Sequence, residues 1–393
     1  MDLIQRGILG LVKSAILEKP CELPEGFDLG SAYKTIAEHE ILSLAYYGAA
    51  NSLGIAHPDT AMLFDECCKG ILVNERQQFA LGELYDAFRK NNIDFMPLKG
   101  AVIKNMYPNA EMRRMGDADI LIRENQYDAI KAVLGELGFV FDYETDHEIV
   151  WKSHAIELEL HKKLVPERDI EFFAYFGSGW DFAKAVEGEN NRYELSPEMQ
   201  FVFVFAHMAK HYRSGGIGLT HFIDLWVYKR RYPDMSEDVI LKAFEGLYLK
   251  EFYINVMKTL DVWFGESQPT DITEFITNVV FNSGVLGTAE AKTLSLAAKQ
   301  LKRENKTKRS KVGKVLRLVF PPVENLSVKY PILKKVVVLL PFVWVIRWFD
   351  ALFVQKGKLK QTGKKIQILS EENLSDFEKS LKFVGLEYHF KGE

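Results

Sequence analysis

Two aspartates separated by one residue, Asp117 and Asp119, form the pattern in this chain with the clearest chemical potential. They lie in the run 116–122, in which acidic and apolar residues alternate before the run becomes apolar, and this indicates a β-strand behind a glycine turn. Side chains two apart on a strand share a face, so both carboxylates can converge on one point. Converged carboxylates repel each other unless a cation intervenes. The pair therefore predicts a site for Mg²⁺ or Mn²⁺, although a single Asp-x-Asp also occurs at ordinary strand ends.

A second acidic pair, Glu157 and Glu159, lies in the strand-like run 156–161, again with both side chains on one face. An antiparallel neighbour of the aspartate strand would place one of these glutamates beside the aspartates. A third carboxylate allows two metal ions to be held, which suits in-line phosphoryl or nucleotidyl displacement. His161 shares the face of Glu159, where it either contacts substrate, orients Glu159 or serves as a structural histidine.

Basic residues precede the aspartates. Lys99 and Gly100 end a strand-like run and lead into a helix, which offers backbone N–H groups and an ammonium to a polyphosphate; the alternative is a surface lysine at a strand end. Arg113 and Arg114 could offset phosphate charge. Adjacent residues of a regular segment cannot both face one site, so one arginine is predicted to face solvent or to pair with Glu111.

Two histidines one helical turn apart, His207 and His211, could hold a metal ion. No glutamate follows His207 as in the His-Glu-x-x-His motif, and the helix is strongly aromatic. We therefore favour core or substrate-pocket positions for both histidines. Asp224 on the next helix could bond to one of them or to the glycine-rich turn 215–218, which lacks the preceding strand of a dinucleotide-binding loop.

Hydrophobic spacing predicts helices before residue 90, a mixed region, and helices again from about residue 197. Helical spacing covers residues 9–17, 33–53, 75–91, 198–212, 220–231 and 248–265. Strand-like runs at 95–98, 116–122, 139–143, 147–152 and 155–161 alternate with helical turns at 101–107 and a helix at 125–138. This order predicts an α+β fold. A small mixed sheet forms the core (91–195), between an N-terminal helical segment (1–90) and a C-terminal helical domain (196–355) with a tail (356–393).

The composition is that of an ordinary globular protein. The 393 residues are 47% apolar and 26% charged, which predicts two or three modules. A net charge of −4 gives no overall reason to expect nucleic-acid binding. Cys21, Cys67 and Cys68 do not have the spacing of a disulfide framework or a zinc ribbon. With no signal peptide visible at the N-terminus, we expect a cytoplasmic protein.

Two late segments have unusual composition. Residues 336–346 are apolar but shorter than the roughly 18–20 residues of a spanning helix; we expect a buried helix, with an interfacial helix as the alternative. Residues 299–317 are strongly basic. We expect a solvated helix there, with weak contact to an anionic surface as the alternative, because no aromatic residues are interleaved for base stacking.

Together these motifs resemble a bacterial family of uncharacterised nucleotidyltransferases in the polymerase-β-like nucleotidyltransferase superfamily. The specific motifs are Pro97-Leu98-Lys99-Gly100, Tyr107-Pro108, Arg113-Arg114, Gly116-Asp117-Ala118-Asp119-Ile120-Leu121 and Glu159-Leu160-His161. Two further regions are similar to that family, His207…His211…Asp224 and Phe320-Pro321-Pro322…Tyr330-Pro331. The resemblance spans residues from about 30 to 350.

The resemblance implies a catalytic nucleotidyltransferase core in which Asp117 and Asp119 bind Mg²⁺ and Glu159 is the third acid, with Glu157 as the alternative. It implies transfer of a nucleoside monophosphate from an NTP to an acceptor hydroxyl, and the third acid would help to deprotonate that hydroxyl. Lys99, Gly100 and the two arginines would bind the nucleotide. No motif identifies the base, the oligomeric state or the acceptor, which could be a small molecule, a glycan or a peptide.

Two other hypotheses remain. Active members of the superfamily usually carry Gly-Ser at the start of the phosphate-binding helix, whereas this chain has Lys99-Gly100 and a longer interval to Asp117. The first alternative is therefore a catalytically degenerate nucleotide-binding or partner-binding module with the same fold. The second is an RNA-modifying or membrane-associated role through the basic segment 299–317.

Overall fold

The computed structural model describes residues 1–284, 289–303, 320–327, 330–334, 336–349 and 370–389. The chain forms two compact units, one of Met1–Tyr212 with Ile217–Leu286 and one of Arg213–Gly216 with Gly287–Glu393. The predicted basic segment falls outside the described residues from 304 onward, and so does the first part of the predicted tail, 356–369.

The N-terminal region is helical, as the hydrophobic spacing predicts. Its helices are α1 (Leu3–Leu17), α2 (Leu29–Glu38), α3 (Leu42–Leu53) and α4 (Pro58–Lys90). The side chain of Asp2 caps α1 by accepting from the backbone N–H of Gln5, which satisfies one of the unpaired donors at a helix start. Pro58 is the first residue of α4, where the missing N–H costs nothing. The predicted run 33–53 is divided between α2 and α3.

A five-stranded mixed sheet forms the centre of the first unit. Its strands are β1 (Phe95–Pro97), β2 (Asp117–Ile122), β3 (Val140–Glu144), β4 (Glu148–Lys152) and β5 (Glu157–His161). Their order is β1-β2-β5-β4-β3. Two helices, α5 (Lys99–Ile103) and α6 (Tyr127–Glu136), follow β1 and β2. The strand arrangement confirms the predicted α+β class.

The expectation of an antiparallel neighbour for the aspartate strand is wrong. Strand β5 does lie beside β2, but the two strands are parallel. After β2 the chain passes through α6 and enters β3, and two antiparallel pairings then lead from β3 through β4 to β5. Two reversals restore the direction of β3, so β5 runs the same way as β2 once α6 has carried the chain back across the sheet.

The two faces of the sheet differ in chemistry because side chains alternate along each strand. One face is apolar: Ala118, Ile120, Leu158 and Leu160 pack in a core with side chains of α4 and α6. The residues between them in the sequence therefore point to the other face, and they include the acidic residues of β2 and β5. The core thus positions the candidate site by burying its backbone.

The rest of the first unit is mainly helical. Its elements are α7 (Ile170–Phe176), β6 (Ala183–Ala185), β7 (Tyr193–Leu195), α8 (Pro197–Arg213), α9 (Leu219–Arg231), α10 (Glu237–Gly246), α11 (Lys250–Phe264) and α12 (Asp271–Ser283). Aromatic side chains hold these helices together, and the ring of Phe205 lies 4.6 Å from that of Phe244 and 5.5 Å from that of Tyr253. The buried aromatic residues of α8, Phe201, Phe203 and Phe205, are therefore part of the core of the first unit.

The second unit contains α13 (Ala289–Arg303), α14 (Val323–Leu326), α15 (Leu340–Phe349) and α16 (Glu371–Phe383) among its described residues. The prediction of a buried helix for residues 336–346 holds for one side only. Val343 is buried, but Phe342 is 66% exposed and Ile346 52% exposed, because only one face of α15 packs against the rest of its unit. None of the described helices has the length and apolar content needed to cross a membrane.

Candidate active site

The parallel pairing of β2 with β5 brings the predicted acids together. Asp119 is the register partner of Glu159, and Asp117 is the partner of Glu157. Register partners and their neighbours two residues along lie on one face of a sheet. Asp119 is 4% exposed, so the carboxylates lie at the edge of the interior, where charge interactions are stronger than in water.

Asp119 accepts hydrogen bonds from Lys99 and His161. The Lys99 ammonium lies 2.6 Å from Oδ1 of Asp119, and Nε2 of His161 lies 2.7 Å from the same oxygen. Burial alone would raise the pKa of Asp119, but Lys99 and His161 outweigh burial and hold that pKa well below its usual range. In His161, burial and Lys99 act to lower the pKa, and the hydrogen bonds with Asp119 and Glu159 raise it overall. The three groups form a charge-paired cluster.

Asp117 has the opposite environment. Burial raises its pKa to about 6, and the negative charges of Asp119 and Glu159 add to that effect. An acidic side chain that is hard to ionise beside two other carboxylates is a place where a divalent cation would be favourable.

The two glutamates of β5 differ in their contacts. Glu159 is 18% exposed and lies 3.6 Å from Nε2 of His161. Glu157 is 36% exposed and pairs with Lys152 at 3.1 Å, the residue opposite it on β4. Glu159 therefore has the closer association with the Asp119 cluster, which favours it over Glu157 as the third acid.

Lys99 and Gly100 begin α5 directly after β1. The backbone of Lys99 has a φ of +44°, a left-handed conformation that costs a non-glycine residue roughly 1–2 kcal/mol. Strain of this kind persists where surrounding contacts hold it, and here Lys99 is held by Asp119. A Cβ atom on Gly100 would lie 2.7 Å from Nη1 of Arg113, so the glycine leaves room for that guanidinium.

The two arginines face different ways, as their adjacency predicts. Arg113 is 14% exposed and binds Asp224 through both oxygens, with Nε 2.9 Å from Oδ1 and Nη2 2.9 Å from Oδ2. Arg114 is 66% exposed and lies 3.7 Å from a carboxylate oxygen of Glu40. The described ion pairs connect neither arginine to Glu111, whose carboxylate instead accepts from the hydroxyl of Tyr47.

Asp224 therefore differs from its predicted role. Its carboxylate accepts from Arg113 and from the hydroxyl of Tyr107 at 2.7 Å, rather than from a histidine or the turn 215–218. Burial acts to lower the pKa of Arg113, and the negative charge of Asp224 raises it overall. The Arg113–Asp224 ion pair thus holds the guanidinium of Arg113 in place next to Gly100.

A cavity of about 130 Å³ opens beside Glu159. Its walls come from the sheet face, from the chain after β5 and from α8, and they include Lys99, Glu159, His161, Phe203, His207 and Lys210. The placement of His207 agrees with the expectation that this histidine is a pocket residue. Of the three candidate acids, Glu159 lines this cavity, and Asp119 contacts two of its other lining residues, Lys99 and His161.

His207 and His211 contact each other and a third histidine, His221, which we did not predict from the sequence. Their ring centroids are 4.4 Å apart, and the ring of His221 on α9 lies 5.2 Å from that of His211. No spacing rule joins residue 211 to residue 221, because a turn separates the two helices. The only sequence signal was a third histidine near the start of the next helix.

The residues present fit the divalent cation that the acidic pattern predicts. Asp117, Asp119 and Glu159 would supply the oxygen ligands that Mg²⁺ prefers, although Asp117 is outside the described group of close ligand atoms that holds the other two acids. Both described hydrogen bonds of the Asp119 carboxylate engage Oδ1, which leaves Oδ2 for a metal ion. The neighbouring set Asp119, Glu159 and His161 has ligand atoms within 4.8 Å of one another.

Comparison with known proteins bears on what such a site does. A family model described as "Uncharacterised nucleotidyltransferase" matches residues 25–265, which is more than half of the chain and includes the sheet, the acids and the helices around the cavity. No curated protein and no solved structure gives a significant match to the chain.

Proposed function

Because the chain belongs to the family of uncharacterised nucleotidyltransferases, we propose that it transfers a nucleoside monophosphate from an NTP to a hydroxyl of an acceptor in a Mg²⁺-dependent reaction. The acceptor class is a small molecule, a glycan or a peptide. The N- and C-terminal helices of the matched region would bind it opposite the acids.

The observation that carries this proposal is the register of two parallel strands. Asp119 lies opposite Glu159, and both act on Asp117 strongly enough to contribute to its raised pKa. Carboxylates accumulated on one partly buried face cost free energy unless a cation offsets them. Nucleotidyl transfer is the family chemistry that makes use of such a cation.

Each residue then has a role. Asp117, Asp119 and Glu159 would hold Mg²⁺, which supplies charge neutralisation at the phosphates when bound. The acceptor oxygen attacks the α-phosphorus, the bond from that phosphorus to the bridging oxygen breaks, and pyrophosphate leaves. Glu159 would take the hydroxyl proton. Lys99 would exchange its contact with Asp119 for one with a phosphate oxygen.

The cavity supports binding of the phosphates rather than of a whole nucleotide. Its volume of about 130 Å³ is below the roughly 300–1,000 Å³ of typical small-molecule pockets. The ribose and base would therefore extend beyond it. Lys99 and Lys210 in its walls pair with Asp119 and Asp169, and each would exchange that partner for a phosphate oxygen.

One observation favours a second candidate, a nucleotide-binding or partner-binding module without catalysis. The Lys99 ammonium and the His161 ring already bind Asp119, so the chain partly replaces the cation of an active site with its own side chains. The Lys99-Gly100 pair, in place of the Gly-Ser of active superfamily members, agrees with a module that lacks catalysis. This candidate predicts NTP binding with no release of pyrophosphate.

Calorimetric titration of the full chain with a non-hydrolysable NTP analogue, with and without Mg²⁺, tests the proposal. Mg²⁺-dependent binding is expected, with loss of that dependence in Asp117→Asn and retention in the matched variant Glu157→Gln. Absence of analogue binding at millimolar Mg²⁺ would overturn the enzyme and the nucleotide-binding module. Pyrophosphate release on incubation with pools of hydroxyl acceptors separates the enzyme from the non-catalytic module.

A further inference from the structure

Three histidines form a compact group beside the carboxylates. His207 and His211 lie one turn apart on α8, and His221 lies near the start of α9. One ligand nitrogen from each histidine lies within 4.8 Å of the other two. Nε2 of His207 and Nε2 of His211 are 2.9 Å apart and share a hydrogen bond, in which one of the two nitrogens carries the proton. The three rings thus direct nitrogen atoms at one small volume.

Metal coordination requires neutral imidazole, so an ion at this group would displace the proton shared between His207 and His211. Nδ1 of His221 is buried with no hydrogen-bond partner in the described part of the chain, and an orphaned buried nitrogen of this kind needs an explanation.

We propose that His207, His211 and His221 form a Zn²⁺ site that is separate from the carboxylate site. Imidazole nitrogens bind Zn²⁺ well, whereas Mg²⁺ prefers oxygen. Two histidines four residues apart on a helix are a spacing used to bind zinc. Three protein ligands leave a fourth position for a water molecule or a substrate oxygen, as in catalytic rather than structural zinc sites.

The charges around the histidines permit a dication. The nearby cations each have a carboxylate partner: Lys99 pairs with Asp119, Arg113 with Asp224, and Lys210 with Asp169 at 3.1 Å. Each carboxylate reduces the repulsion that its cationic partner exerts on an ion at the histidines. His207 also lines the cavity that contains Lys99 and Glu159, so an oxygen ligand of the ion would come from that cavity.

The test uses the full chain with Zn²⁺ for affinity and Co²⁺ as a spectroscopic probe. We expect one equivalent of Zn²⁺ at this site and a visible Co²⁺ spectrum of low coordination number, which an octahedral carboxylate site does not produce. His207→Gln, His211→Gln and His221→Gln should each weaken Zn²⁺ binding by more than about 100-fold, since loss of a mere outer-shell partner already costs 10–100-fold.

Two controls separate this site from its surroundings. His154→Gln removes an exposed histidine and should leave the spectrum unchanged. Asp117→Asn should retain the Co²⁺ spectrum while abolishing Mg²⁺-dependent nucleotide binding, so the zinc proposal and the proposed function fail independently. Unfolding midpoints measured in EDTA identify any variant that does not fold. The Co²⁺ spectra of the folded histidine variants then decide whether the zinc site exists. A wild-type chain without the visible spectrum, or a spectrum retained in all folded histidine variants, overturns the proposal.

Discussion

The ammonium of Lys99 lies 2.6 Å from Oδ1 of Asp119, so the lysine that begins the helix after β1 neutralises the central acid of β2. The two residues are 20 positions apart in the sequence, and each is largely buried. Neither side chain would be stable there without the other, because an unpaired buried charge costs several kcal/mol. This pair connects the stability of the site to its occupation by a cation.

We predict that Lys99→Met lowers the free energy of unfolding in metal-free buffer by about 2–3 kcal/mol, since it leaves Asp119 with only His161 as a cationic partner. Mg²⁺ should then stabilise the variant more than it stabilises the wild-type chain. Urea unfolding in EDTA and in millimolar Mg²⁺ measures both effects. Lys152→Met, which removes a half-exposed lysine, is the control. Equal stabilisation of the wild-type chain and Lys99→Met by Mg²⁺ would contradict the prediction.

The two glutamates of β5 should differ when substituted. Glu159→Gln is expected to lower the rate of nucleotidyl transfer by at least about 100-fold, the scale of general acid–base catalysis. Glu157→Gln should keep near wild-type activity, because Glu157 is occupied by Lys152. Initial rates of pyrophosphate release at saturating Mg²⁺ provide the measurement. The reverse order of the two variants would assign Glu157 as the third acid.

Gly100→Ala should destabilise the protein by about 1–2 kcal/mol, the cost of overpacking. The new Cβ atom would lie 2.7 Å from Nη1 of Arg113, and Asp224 keeps that guanidinium from moving away. Gly135→Ala is the matched control, because a Cβ on this residue of α6 meets nothing within 4 Å and alanine favours a helix by roughly 0.5–1 kcal/mol. Chemical unfolding should therefore show opposite signs for the two variants, and equal signs would contradict the steric account.

Lys104 offers a test of pH dependence away from the acids. Burial, reinforced by the positive charge of Arg113, lowers its pKa from 10.5 to about 8, and the residue is 1% exposed. Between these two values the unfolded chain binds more protons than the folded chain, so this lysine makes stability rise with pH across that window. Below pH 8 Lys104 is charged in the folded chain, and the free energy of unfolding is lowered by the full cost of burying that charge.

We therefore expect Lys104→Met to stabilise the protein at pH 7 by about 2 kcal/mol, from roughly 1.4 kcal/mol per pKa unit less a cost for repacking. The gain should shrink as the pH rises from 8 to 10.5. Urea unfolding of both chains across this range measures the difference. Lys69→Met removes a largely exposed lysine and should give no such trend; a gain for Lys104→Met that is independent of pH would refute the assignment.

The sequence alone determined the strands and which side chains share a face. Alternation in residues 116–122 and 156–161 predicted that Asp117 joins Asp119, and that Glu159 joins His161, because the period of a strand is a local property of the backbone. The same local rule predicted that Arg113 and Arg114 point apart. The family match over residues 25–265 agrees with the resemblance that these motifs carry.

Only the tertiary structure decided which faces meet. The parallel direction of β5 sets Glu159 opposite Asp119, whereas we expected an antiparallel neighbour from the sequence. The hydrogen-bond partners of Asp224 and the contact between His221 and His211 could not be predicted from the sequence either. Contacts between residues far apart in sequence depend on how whole elements pack, and no local periodicity encodes the direction in which a strand returns to the sheet.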